Sequence, residues 1–293
     1  MPRLPDIALT ALAPAIWGCS YLAITLSLPP DHALGIAALR ALPAGLLLLL
    51  FVRRLPRAGW MLKLVILGAL NFTVFWSLLN IAAYRLPGGI AATVGAIQPL
   101  FVIALARLAL SDRIRSRQVI AGLMGLTGVA LLVLTSQARI DAVGVLAGLG
   151  GAAAMAAGSV LTRRWQFPVS PLTLTAWQLT AGGVLLVPLA LLAEGGLPPI
   201  NALTLGGLAW LALPGAALTY WVWFRGLALI GPARATLLGF LSPMTAACLG
   251  WAVLGQSLSA TQIGGMLVVL VSLWLSQTSP PPGTRVSSAE TEL

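Results

Sequence analysis

The chain has 293 residues, 59% of them hydrophobic and 8% charged, with a mean hydropathy of +0.97 and a formal net charge of +10. So few polar side chains cannot cover a water-soluble domain, so the bilayer is the expected solvent and membrane lipid the expected surroundings. The basic residues sit in short loops between apolar runs and no helix carries a basic stripe, so no nucleic-acid partner is expected.

A membrane-crossing helix needs about 20 largely apolar residues, and ten such segments are expected near 7–28, 33–52, 60–82, 87–108, 117–136, 142–162, 170–192, 203–224, 232–253 and 260–277. Arg3 precedes the first run like the start of a secretory signal, and Ile16-Trp17-Gly18-Cys19 has the outline of a lipoprotein cleavage site. Bulky Trp17 spoils that site and the run continues to spanning length, so an uncleaved first helix is expected. The second span carries Arg40 inside it. On the third, Thr73, Trp76 and Asn80 recur at helical spacing as one polar-aromatic face, leaving Leu70, Val74 and Leu78 for lipid or neighbours. The fourth and ninth are rich in small residues, as are the fifth (Gly122, Gly125, Gly128) and sixth (Gly148, Gly151, Gly158), which suits close helix contact, sliding or dimerisation. Trp60, Trp165 and Trp274 fall where interfacial anchors sit. Cys19 and Cys248 lie inside spans and read as small core residues, His32 is the single histidine, and neither a disulfide, a metal nor a cofactor is expected. The segment after Thr278, rich in Pro and Ser, has too little apolar surface to fold.

The second half repeats the first. YRLPGGIAATVGAIQPLFV, from Tyr84, returns in LALIGPARATLLGFLSPMT at a constant offset, so that Gly88 meets Pro232, Gly95 meets Gly239 and Pro99 meets Pro243. Five spans per half is an odd number, so the second copy enters the membrane from the opposite face. The expected fold is an all-α membrane protein of ten transmembrane helices in two inverted five-helix repeats, residues 1–138 and 139–278, with a disordered tail at 279–293. Of the 17 Lys and Arg residues, only Arg85 and Arg139 fall on one side and Arg40 lies within a span; the rest share the other side, which makes both termini cytoplasmic.

The stretch LTYWVWFRGLALIGPARATLLGFLSPMTAACLGWAVLGQSLSATQIGGMLVVL, with WGCSYLAI near Trp17, ALRALPAG around Arg40 and the YRLPGG stretch running to LSD at Asp112, resembles the EamA type of the drug/metabolite transporter superfamily. The likeness covers the chain to about Thr278. It implies ten helices in two inverted repeats and export or exchange of small metabolites, amino acids or drug-like cations. Gln256 stands where that family usually has an acid, whereas Asp112 keeps one in the first half.

Inverted repeats place a substrate site at their interface near mid-membrane. An ionised Arg40 inside a span either snorkels outward or hydrogen-bonds to helix ends, or it faces a cavity, where its guanidinium suits a carboxylate. Its equivalent in the second copy is Gln178. Gln98 and Ser242 each precede a proline, and Pro99 and Pro243 either leave carbonyls open to substrate or mark kinks that Gln98 and Ser242 satisfy. Trp76 is equivalent to Tyr220; these rings and Trp17 are either core packing or stacking surfaces for substrate. The candidate substrate-binding set is therefore Trp17, Arg40, Trp76, Gln98, Gln178, Tyr220 and Ser242, with Pro99 and Pro243 as hinges. No carboxylate falls at mid-membrane, so carboxylate-based ion coupling is not expected. A transporter of small molecules accounts for these features together, acting most simply on amino acids, with drug-like or quaternary-ammonium cations as the alternative. A receptor or scaffold lacks a soluble module here, and an intramembrane enzyme lacks paired acids and a second histidine, leaving only a serine hydrolase in that class.

Overall fold

In the computed structural model, residues 3–29, 31–86, 88–133, 141–255 and 257–278 are described. Arg139, Gln256, Arg285 and the whole 279–293 tail lie outside them. Ten helical segments follow one another: α1 Leu4–Ser27; α2 Ala33–Val52; α3, built from Met61–Gly68, a π-helical turn Ala69–Val74 and Phe75–Arg85; α4, from Gly88–Gly95 and Gln98–Leu110; α5 Ser116–Val133; α6 Ala142–Trp165; α7 Pro171–Glu194; α8, from Ala202–Ala212, a π-helical turn Leu213–Leu218 and Thr219–Ile230; α9, from Pro232–Leu237, a 3-10 turn Leu238–Phe240 and Leu241–Leu254; and α10 Ala260–Gln277. Nine stretches among the described residues are long and apolar enough to cross a membrane, and Leu4–Ser20 adds a shorter apolar one. Leu50, Phe51, Leu108 and Leu192 are each more than 70% exposed on the outer surface, as lipid requires and water would not tolerate so widely.

The starts of the second-half helices are written into the sequence. Asp141, Ser170 and Asn201 accept from the backbone N–H groups of Gly144, Thr173 and Thr204 at 2.7, 3.2 and 2.9 Å, and Ser259 with Gln262 forms a capping box. α2 has no such local cap. Its first donors, Leu34 N–H and Gly35 N–H, go instead to the carboxylate of Glu194 at 2.6 and 2.8 Å, so the end of α7 caps the start of α2. α8 extends past the expected end at 224 to Ile230: Arg225, expected in a loop, stays helical with its guanidinium 2.7 Å from Asp6 at the start of α1.

Packing follows the duplication. α2 lies on α7 and α5 on α10; α3 and α4 pack on α6 just as α8 and α9 pack on α1. Asp6 at the start of α1 pairs with Arg225, whereas Asp141 at the start of α6 lies 3.6 Å from Arg85 at the opposite end of the bundle, so the two copies run in opposite directions. The Arg225 end also gathers Arg113, Arg115 and Arg234, the Arg54 carbonyl bound by Trp177 Nε1, and Arg164 bound to the Ala109 carbonyl. Trp60 and Trp165 lie there too, beneath Arg57 and Lys63.

The α2–α7 contact is closest at reciprocal glycines. A Cβ on Gly45 would lie 2.6 Å from Thr180 Oγ1, and a Cβ on Gly183 would lie 2.6 Å from Leu42 Cα; Leu42 and Thr180 are themselves repeat equivalents. Backbone on the facing helix cannot give way as a side chain tip can. Gly45→Val is therefore expected to destabilise the bundle by about 1–3 kcal/mol or more, read as a lower melting temperature in detergent.

Two expectations about small residues change. Cys248 is exposed on α9, and Cys19 is partly enclosed. Gly95 and Gly239 make no close helix contact at all: nothing lies within 4 Å of a Cβ built on either. The fifth- and sixth-span glycines do serve packing, Gly128 against the Gly265 backbone and Gly158 against the Asn71 side chain.

Candidate functional site

The space left by Gly95 and Gly239 is a cavity of about 250 Å³ between the two halves, just below the roughly 300–1,000 Å³ of drug-sized ligand pockets. Its walls are built from repeat-equivalent positions. Trp17 stands opposite Met155, Trp76 opposite Tyr220, Leu79 opposite Trp223, Ala92 opposite Thr236, Gln98 opposite Ser242, and Pro99 opposite Pro243. The cavity therefore lies between the two copies, on the pseudo-twofold axis of the duplication.

Every candidate substrate-binding residue except Gln178 lines this cavity. The aromatic wall is one connected set: Trp17 lies 5.1 Å from both Tyr220 and Trp223, Phe72 4.7 Å from Tyr220, and Trp76 6.2 Å from Tyr220 in an edge-to-face arrangement. Trp17 Nε1 donates to Thr219 Oγ1 at 3.0 Å, and the Thr219 hydroxyl donates to the Gly215 carbonyl at 2.9 Å. Arg40 reaches the same carbonyl with Nη2 at 2.6 Å while its guanidinium sits 4.9 Å over the Trp76 ring. Arg40 is the sole ionised side chain among the described lining residues.

Two π-helical turns make this geometry, and they fall at equivalent positions: Ala69–Val74 in α3 and Leu213–Leu218 in α8. A π turn inserts one residue into the helical register and re-aims every side chain after it. The expected face of Thr73, Trp76 and Asn80 does not form; the turn holds Thr73 within it and puts Trp76 and Asn80 beyond it. Thr73 turns away and donates to the Gly182 carbonyl at 3.1 Å, Asn80 does not line the cavity, and Phe75, Trp76 and Leu79 form the wall. In α8 the same turn presents the Gly215 carbonyl to Arg40.

Gln178 lies elsewhere. It is fully buried where α7 crosses the π turn of α3, accepting from Asn71 Nδ2 at 2.7 Å; Asn71 fills the space against Gly158 and reaches Thr162 Oγ1 at 3.4 Å. Gln178, the repeat equivalent of Arg40, is held by Asn71 and does not line the cavity. Asn71 Oδ1, Gln178 Nε2 and Ser159 Oγ, all in fully buried residues, have no hydrogen-bond partner among the described residues. Each such group costs about 1–3 kcal/mol in a closed interior.

The helix breaks of α4 and α9 lie one step before the prolines. The helix of α4 lapses at Ala96 and Ile97 and resumes at Gln98 with Pro99 in its first turn; α9 tightens to a 3-10 turn over Leu238–Phe240 and resumes at Leu241. Ser20, Phe75, Met155, Trp223, Thr236 and Phe240 also line the cavity without having been singled out from sequence. Met155 was readable as the equivalent of Trp17, and Trp223 from its helical spacing to Tyr220; the others depend on the π turns and on how the halves meet. Trp223 Nε1 is buried with no hydrogen-bond partner among the described residues.

The two ends of the cavity differ. The Gln98–Leu110 segment of α4 packs against the Pro232–Leu237 segment of α9 at the Arg225 end, whereas the symmetric pair, Gly88–Gly95 with Leu241–Leu254, makes no comparable contact among the described residues. Ser20 and Ile24 of α1 line the cavity toward the Arg85 end, and their equivalents Gly158 and Thr162 do not. The cavity thus extends toward the Arg85 end and is closed at the basic end.

The sequence pattern of the EamA-like transporter family matches residues 5–134 and again residues 142–278. Protein PecM of Dickeya dadantii is 42% identical over 94% of this chain and 92% of its own length. The uncharacterized inner membrane transporter YedA of Escherichia coli K12 is 28% identical over 94% of each chain, and a probable amino-acid metabolite efflux pump of Salmonella typhimurium is 25% identical over 92% of this chain and 94% of its own. A solved crystal structure with 19% sequence identity superposes with a TM-score of 0.80 over 94% of this chain and 99% of that one, a likeness of fold.

Proposed function

We propose, starting from the fact that this chain belongs to the EamA-like transporter family and is a multi-pass membrane transporter rather than an enzyme, that it exports amino acids or similar small metabolites by alternating access through its central cavity. The observation that carries the substrate class is Arg40, a single guanidinium in an otherwise uncharged aromatic wall. A carboxylate can engage that guanidinium through charge-assisted hydrogen bonds while Trp17, Trp76 and Tyr220 take an apolar side chain. A cation meets repulsion at the same place, and the Trp76 face it would stack on already lies under Arg40. The cavity volume suits a small metabolite better than a bulky drug.

The two five-helix units, residues 1–138 and 139–278, rock against each other in this reading. The protein sits in a bacterial inner membrane with both termini on the cytoplasmic side, where the basic end lies. Efflux of a panel of labelled amino acids and of quaternary cations from reconstituted vesicles tests it. Selective movement of carboxylate-bearing solutes supports the reading, and movement of cations alone overturns it.

Pro99 and Pro243 act as hinges in this cycle. Each stands in the first turn of a resumed helix, where proline costs little, so Pro99→Ala or Pro243→Ala should change stability by less than about 1 kcal/mol. Restoring the N–H lets the break heal into continuous helix, and the exchange rate between the two facing states should fall while substrate affinity holds. Counterflow rates alongside binding affinities separate these; equal rates in both single mutants and the double mutant would remove the hinge role.

A further inference from the structure

The cavity departs from its own symmetry at one place. In the second half, Gly215 on the α8 π turn lies beside Ser20 and receives Arg40 at 2.6 Å, and this corner is open to the cavity. The equivalent corner of the first half has Asn71 on the α3 π turn, pressed against Gly158 and bonded to Gln178 at 2.7 Å and Thr162 at 3.4 Å. Asn71 is the repeat mate of Gly215, Gly158 of Ser20, Gln178 of Arg40 and Thr162 of Ile24. The two corners are therefore one site in two copies, one open and charged, the other shut and neutral. The shut copy also holds a buried acceptor, Asn71 Oδ1, a buried donor, Gln178 Nε2, and the Ser159 hydroxyl, none with a hydrogen-bond partner among the described residues. A polar ligand reaching this corner has both donors and acceptors to bind.

We propose that the Asn71–Gln178 corner is the cytoplasmic-facing half of the substrate site, opened when the halves exchange conformations. The inference rests on the export reading above. In an inverted repeat the second state is reached by each half adopting the arrangement of the other, so the wall now formed by Ser20, Ile24 and Arg40 passes to Gly158, Thr162 and Gln178. Substrate entering from the basic end meets two carboxamides, which offer donor and acceptor together. That suits a zwitterionic head carrying an ammonium and a carboxylate, and it contrasts with the guanidinium on the other side. The polar head is thus read by neutral groups on one face and by charge on the other.

The test uses the full chain with Cys19→Ser and Cys248→Ser and a single new cysteine, probed with a membrane-impermeant thiol reagent on intact cells and on inside-out vesicles. Ile24→Cys should react from the cell exterior. Thr162→Cys should react in inside-out vesicles and not in intact cells, and a zwitterionic amino acid should slow that labelling while a quaternary ammonium ion should not. Ser159→Cys, one turn earlier on α6, gives the same reading should Thr162→Cys fail to insert. Labelling of Ile24→Cys with none at either α6 position, or labelling at α6 that a zwitterion does not slow, overturns this inference and leaves the export cavity standing. Silence at all three positions on both faces overturns the export reading with it.

Discussion

Arg40→Gln is expected to lower export of carboxylate-bearing amino acids by roughly ten- to a hundredfold, since a hydrogen-bonded charge is worth about 1.5–3 kcal/mol and each 1.4 kcal/mol is a factor of ten. Gln keeps a donor for the Gly215 carbonyl, which Arg40 now meets at 2.6 Å, so the α2–α8 contact and the protein level should hold. The loss should fall on apparent affinity for anionic or zwitterionic substrates and spare neutral ones. Arg40→Lys separates charge from shape: it keeps the positive charge without the planar fork and should recover only part of the activity. Efflux of glutamine-like, leucine-like and decarboxylated analogues from cells with matched protein levels makes the comparison. An equal loss for every solute would make Arg40 a structural cross-link between α2 and the α8 π turn and leave the carboxylate without an assigned partner.

Filling the cavity should abolish transport without unfolding the protein. Gly95 and Gly239 face each other across the pseudo-twofold axis, each with no atom within 4 Å of a built Cβ and with an ordinary backbone angle. Leu at either position projects into the cavity of about 250 Å³ instead of into a neighbouring helix. Replacing glycine in a helical segment gains about 0.5–1 kcal/mol of backbone entropy, so melting temperature should stay level or rise. A substrate that overlaps a fixed side chain meets overpacking of about 1–3 kcal/mol per contact, enough for a tenfold loss or more in each single mutant and more in the pair. The contrast with Gly45→Val is the informative part: that glycine faces backbone, so the same class of change there costs stability first. Normal export of leucine-sized solutes by the Gly95→Leu, Gly239→Leu double mutant would place the route elsewhere in the bundle.

The amino-acid sequence by itself determined the solvent, the ten helices and the duplication. These are properties of runs and spacings: apolar length selects membrane-spanning helices, and a constant offset from Gly95 to Gly239 survives whatever the helices do in space. It also carried the equivalence of Trp76 with Tyr220 and of Gln98 with Ser242, two pairs whose members all line the cavity. Arg40 was legible as costly, and costly groups in a bilayer mark places that are not lipid. The tertiary structure alone decided the rest. Which of two equivalent polar residues reaches the cavity depends on Asn71, whose side chain closes the Gln178 corner while Gly215, having none, leaves the Arg40 corner open. The phase of α3 and α8 depends on π turns that no apolar periodicity announces, since one inserted residue shifts a face without changing composition. The openness of one end and closure of the other is a property of how two nearly identical halves meet, and a sequence repeated twice cannot by itself say which copy stands open.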